Sequence, residues 1–161
     1  MKISNYLKMK DNELIKEALT DTSYKKYYQT INKKEYKGRV NDNLAVLGDV
    51  VIKLALTNVF YKIGNLNITS EKQKYESNKK LVEIIGKRYK FLDIMYYDKN
   101  DKNRKKYENY NVSAKDGENE EGWKYIADAV EAVFGAIYII NNKDISIIEA
   151  ILCYEFNIEF T

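Results

Sequence analysis

The sequence predicts an all-α domain, a helical bundle around one buried helix, and three observations lead there. Between Asn43 and Tyr61 apolar residues fall at nearly every angle of a helical wheel, the pattern of a rod enclosed by its neighbours. Elsewhere apolar residues recur at three- and four-residue spacing. No segment shows convincing strand alternation, and there is no internal repeat. The 161 residues, 45% hydrophobic and 32% charged, suit a single domain spanning 1–161 with one core.

Taken in order, "DNELIKEALTD" presents Leu14, Ile15, Ala18 and Leu19 as one face, with Asp11 placed to cap its first turn and Asp21 to end it. "TSYKKYYQTINKKEYKGR" interleaves Tyr24, Tyr27 and Tyr28 with Lys25 and Lys26. It reads either as a core-facing edge with solvated lysines, the commoner case, or as a nucleic-acid platform. In the central helix Leu44, Leu47, Val51 and Ala55 form one stripe, while Val46, Val50, Leu54 and Leu56 cover other sides. At 100° per residue Asp42 and Asp49 project within about 20° of each other.

After Gly64, Thr69 or Ser70 is placed to cap a short basic helix to about Tyr75, and Leu81, Ile84 and Ile85 give "SNKKLVEIIGKRY" its apolar face. Residues 96–122 are polar, mixed in charge and nearly free of aliphatics, so a long exposed loop or insertion is expected. Its basic run, Lys102 to Lys106, is either solvated charge or a phosphate contact. "WKYIADAVEAVFGAIYIINN" carries a core stripe of Ile126, Val130, Val133, Ile137 and Ile140. Asp128, Glu131 and Gly135 lie opposite, with Ala132 close by, and residues that small let another helix approach that second face. A last amphipathic helix starts at Asp144, a good cap.

Composition excludes several chemistries. With no histidine there is no Ser/His/Asp triad, no Cys/His pair and no histidine-bound zinc, and Cys153 alone forms neither an internal disulfide nor a multi-cysteine metal site. The net charge of +3 is a modest pull on nucleic acid unless the basic residues cluster. No apolar run is expected to span a membrane, and a cytoplasmic protein is expected.

What remains is carboxylate chemistry. Two mostly buried helices each present an acid pair, Asp42 with Asp49 and Asp128 with Glu131. Converging acids repel unless a cation lies between them, and oxygen-only donors favour Mg²⁺ or Mn²⁺. Metal-assisted phosphodiester hydrolysis needs no histidine. Acid pairs one helical turn apart are also common without any ion, so a structural role stays open.

"NDNLAVLGD", Asn41 to Asp49, resembles the signature helix of the ribonuclease III endonuclease domain at Asn41, Leu44, Leu47, Gly48 and Asp49. "ADAVEAVFGAIY", Ala127 to Tyr138, is similar to that family's second acidic motif, "ALTDTSY", Ala18 to Tyr24, to its upstream motif, and "SNKKLVEI" to the helix between them. The resemblance implies the ribonuclease III endonuclease-domain fold and a homodimer whose valley holds double-stranded or hairpin RNA. It also implies Mg²⁺-dependent cleavage, with Mn²⁺ able to substitute, to 5′-phosphate and 3′-hydroxyl ends. Asp49, Asp128 and Glu131 would then be the metal ligands, with Asp42 assisting. The compact architecture is similar to Mini-III members, which lack a double-stranded-RNA-binding module. Ala45 stands where the family has a ligand glutamate, Asp42 at another family acid and Asp21 at the upstream histidine. Ala45 motivates the alternative, a catalytically silent relative that binds RNA or a ribonucleoprotein.

Overall fold

A computed structural model describes residues 2–64, 67–102 and 120–159. The described chain forms α1 (Ser4–Leu7), α2 (Glu13–Ala18), α3 (Tyr24–Asn32), α4 (Asp42–Ile63), α5 (Ile68–Glu76) and α6 (Asn78–Lys80). The last runs into a π-helical turn, Leu81–Gly86, followed by α7 (Phe91–Ile94), α8 (Glu120–Ile140) and α9 (Ile145–Phe156). Among the described residues the nearest thing to a sheet is one parallel bridge between Thr20 and Tyr96. The all-α expectation therefore holds. Of the polar stretch expected at 96–122, residues 103–119 lie outside the described residues, and with them all of the Lys102–Lys106 run except its first lysine.

The bundle is organised on α4 and α8, which pack along each other, with α9 and α5 against α4 and with α2 and the π turn against α8. Ile126, Val130, Val133 and Ile137 of the expected α8 stripe are fully buried, and Ile140 is half-buried. Gly86 lets the π turn lie against α8, since a Cβ there would come within 2.9 Å of the Ile126 side chain.

Local signals hold the ends. Asn12 rather than Asp11 caps α2, accepting from the Leu14 and Ile15 amides at 3.0 and 3.1 Å. Both side chains are good acceptors, and the extended backbone at residue 12 decides between them. Asp21 does not end α2, which stops at Ala18. It is buried and accepts from the Ser23 amide and hydroxyl, steering the chain into α3. Asn67, not Thr69 or Ser70, caps α5, while Asp144 caps α9 as its position predicts.

The central helix corrects the expectation of burial on all sides. Leu44, Val51, Ala55 and Leu56 are buried, but Val46 is 69%, Val50 58% and Leu54 48% exposed. These three lie four residues apart and form one open apolar stripe, so apolar residues all round mark here a core face plus a bare face. By length and mean hydropathy Asp42–Ile63 would also suffice to cross a bilayer, which corrects the expectation that no stretch qualifies, although half of that stretch is buried inside the protein.

The tyrosines of the basic segment do not enter the core. No residue of α3 is buried, and the Tyr24 ring instead gathers Tyr27, Tyr28, Tyr36 and Tyr96 at centroid distances of 5.2 to 6.1 Å. Near the other end of the bundle Glu155, 1% exposed, accepts from the Ile3 amide, the Arg88 guanidinium and the Tyr89 hydroxyl, tying both chain ends together.

Candidate active site

The site begins with an absence of side chains. A Cβ on Gly48 would overlap the backbone carbonyl of Glu131, and one on Gly135 would lie 2.5 Å from the Leu44 carbonyl oxygen. Glycine at both positions therefore lets α4 and α8 touch backbone to backbone. The acids of α8 are thereby pressed against α4.

Glu131 is the most enclosed of them, 8% exposed, and its side chain forms no hydrogen bond among the described residues. Burial pushes its carboxyl pKa up to about 8, and the nearby charges of Asp49 and Asp128 add to the rise, while Lys53 and Lys124 oppose it. A carboxyl surrounded by apolar contacts and like charges is short of positive charge. Asp128, one helical turn before it, is half-buried.

Asp49 belongs to the same group from the other helix and has met a cation: Lys53 Nζ donates to Asp49 Oδ2 at 2.8 Å, one turn along α4. That bond raises the lysine's pKa, helped by the charges of Asp49, Glu76 and Glu131. Neither Lys53 nor Glu76 was foreseen from the sequence, although the i, i+4 spacing of Asp49 and Lys53 was a legible signal. Glu76 ends α5, with one carboxylate oxygen buried and lacking a hydrogen bond.

Asp49, Asp128 and Glu131 are thus brought together, and Asp42 is not. It is exposed in the first turn of α4, where its carboxylate accepts from the Asn43 amide. Seven residues put it about 10 Å before Asp49 along the axis. Ala45, at 7% exposure, is part of the hydrophobic core. Asn41, also buried, uses its amide group to donate to the Ala18 carbonyl, joining the end of α2 to the start of α4.

The donors suit a hard divalent cation: all are carboxylate oxygens, they come from two rigid helices, and their mutual repulsion is visible in Glu131. Among the described residues no three acids are already gathered into a cage for an ion. One Asp49 oxygen, Oδ2, is occupied by Lys53.

Residues 42–142 match the ribonuclease III domain, a span that contains all four acids. The chain belongs to the ribonuclease III domain family. It is thereby placed among nucleases of the hydrolase class, which generally depend on a divalent metal. Among solved structures it is similar to the nuclease domain of ribonuclease III from Campylobacter jejuni, described for structural flexibility in a region involved in dimer formation. The two are 21% identical and superpose with a TM-score of 0.60 over 97% of each chain, so this ribonuclease III domain and that one share a fold. Comparison with curated proteins finds no match.

Proposed function

We propose that this protein is a metal-dependent endoribonuclease that cleaves double-stranded or hairpin RNA to 5′-phosphate and 3′-hydroxyl ends, working as a homodimer. The observation that carries the reading is Glu131, a buried carboxyl beside Asp49 and Asp128, inside the span that matches the ribonuclease III domain.

Asp49, Asp128 and Glu131 would hold Mg²⁺ or Mn²⁺. When bound, such an ion lowers the pKa of a coordinated water and offsets charge building on the phosphate. The chain supplies the rest. The α4–α8 contact fixes the acids on two backbones that cannot slide apart cheaply, because Gly48 and Gly135 leave no gap between them. With Lys53 and Lys124 as its nearby cations, Glu131 keeps its proton below about pH 8 and gives it up as positive charge arrives. Lys53, half-exposed, is free to move from Asp49 toward a phosphate oxygen, because an exposed i, i+4 pair contributes only about 0.3–0.5 kcal/mol. Asp42, at the exposed start of α4, assists from the edge of the site.

The dimer is supported by the bare stripe of Val46, Val50 and Leu54, which covers a face of the same helix that carries Asp49. A catalytically silent RNA-binding relative is the second reading, favoured by Ala45 in the core and by Lys53 on Asp49. The deciding experiment incubates the protein with duplex RNA and Mg²⁺ and analyses the ends. Products bearing 5′-phosphates, made with Mg²⁺ and not with chelator, support the nuclease. Bound but intact duplex supports the silent relative.

A further inference from the structure

We propose that the groove between α2 and residues 33–39 binds an unpaired nucleotide of the RNA, so that the preferred substrate is a duplex flanked by single-stranded RNA. The proposal rests on the ribonuclease reading above and adds the class of RNA that the protein selects.

Charge comes first. Residues 23–40 hold six basic side chains against Glu35 alone, a net +5, whereas the whole chain is only +3, so everything outside this segment sums to −2. The modest global charge conceals one strongly basic segment. Arg39 is engaged by Glu17 at 3.7 Å. Lys25, Lys26, Lys33, Lys34 and Lys37 are exposed and form no ion pair among the described residues. Of these five, Lys34 and Lys37 line the groove, together with Lys16 and Arg39 and with the carboxylates of Glu13, Glu17 and Glu35, and exposed lysines with no carboxylate partner suit phosphate contact.

The aromatic component is held in place rather than floppy. Tyr36 lies edge-on to Tyr24 at 5.2 Å and to Tyr28 at 5.3 Å, with its hydroxyl 3.5 Å from the Arg39 carbonyl. Its ring passes over Gly38, where any side chain would collide with it. Lys33, in the left-handed region at φ 55°, ends α3 and turns the chain into this arrangement.

Between this segment and α2 lies a groove of about 770 Å³, lined among others by Glu13, Glu17, Tyr28, Lys34, Tyr36 and Arg39. That is within the roughly 300–1,000 Å³ of small-ligand sites. Its chemistry is that of a nucleotide pocket: ring surfaces for a base, carboxylates to accept from exocyclic amino groups, and Lys34 for the phosphate. Bases inside a duplex present no ring face to a protein, whereas unpaired bases do. A shallower depression of about 450 Å³ shares Leu14, Glu17, Gly38 and Arg39 with the groove and reaches Asp42 and Leu47. The pocket therefore adjoins the start of the helix that carries Asp49.

The test is fluorescence anisotropy in chelator, which holds metal-dependent cleavage off, with blunt duplex RNA and the same duplex carrying a short single-stranded extension. The extended RNA is expected to bind about tenfold tighter, the effect of one stacked base. That advantage should vanish in Tyr28→Ala/Tyr36→Ala, persist in Tyr36→Phe and shrink in Lys34→Ser/Lys37→Ser, which leaves the ring packing untouched. Equal affinity for the two RNAs in the wild type overturns the proposal, as does an advantage that survives in both the double-alanine and double-serine variants. Extended RNA held through the tyrosines but left uncut with Mg²⁺ keeps the groove and removes the nuclease reading.

Discussion

Gly48 of α4 and Glu131 of α8 meet backbone to backbone, so closely that a Cβ on the glycine would overlap the glutamate's carbonyl oxygen. Packing and chemistry are therefore coupled at one point. Gly48→Ala should separate the helices and destabilise the protein by about 3 kcal/mol, the upper end for overpacking. For a chain of this size that corresponds to a fall in Tm of roughly 10 °C. Thermal melting followed by circular dichroism measures it, and an unchanged Tm would show that the crossing is looser than described.

Glu131 gives the pH dependence a definite sign. Its folded pKa, about 8, lies above the ordinary 4.5, so between those values the folded protein holds a proton that the unfolded chain has released. The stability tied to this group is fully present below about pH 4.5 and is lost as the pH rises through 8. Glu131→Gln should flatten that decline and, without divalent ions, stabilise the protein at pH 8 by on the order of 2 kcal/mol. Urea titrations of both proteins at several pH values check it, and parallel curves would contradict it.

Ala45 is buried in the core, so restoring a glutamate there places a carboxylate among apolar neighbours. Ala45→Glu should lower stability by about 2–4 kcal/mol in chelator. Mg²⁺ should recover much of the loss if the new acid reaches the ion beside Asp49. Melting with and without Mg²⁺ separates the two effects.

Much of this was legible in the sequence, for physical reasons. The i, i+3 spacing of Asp128 and Glu131, with Gly135 and Ala132 alongside, identified acids facing a closely packed helix, and the glycines of both helices confirm that packing. A helical wheel cannot separate a core face from a bare one, since both are apolar, and so it places Val46, Val50 and Leu54 in the interior although they are exposed. Asp11 and Asn12 compete for one cap, and only the backbone angles at residue 12 choose. Glu155 meets Ile3 from 152 residues away, a relationship that no local pattern encodes.

The bare stripe predicts the assembly state. Val50→Glu, at a position 58% exposed, should cost the folded monomer little and should place a charge in the middle of the proposed dimer face. Light scattering after gel filtration is expected to give a dimer for the wild type and a monomer for the variant. Two identical masses would place the interface elsewhere.

The assignment of the acids is tested most directly by incubating wild type and Asp128→Asn with end-labelled duplex RNA, with Mg²⁺ and with chelator. The expected result is cleavage of both strands by the wild type with Mg²⁺ only. The variant should be slowed about a hundred- to a thousandfold while keeping its oligomeric state, the scale on which a lost charge-stabilising group acts. Equal cleavage by the variant, or cleavage in chelator, would contradict a metal site built on Asp49, Asp128 and Glu131.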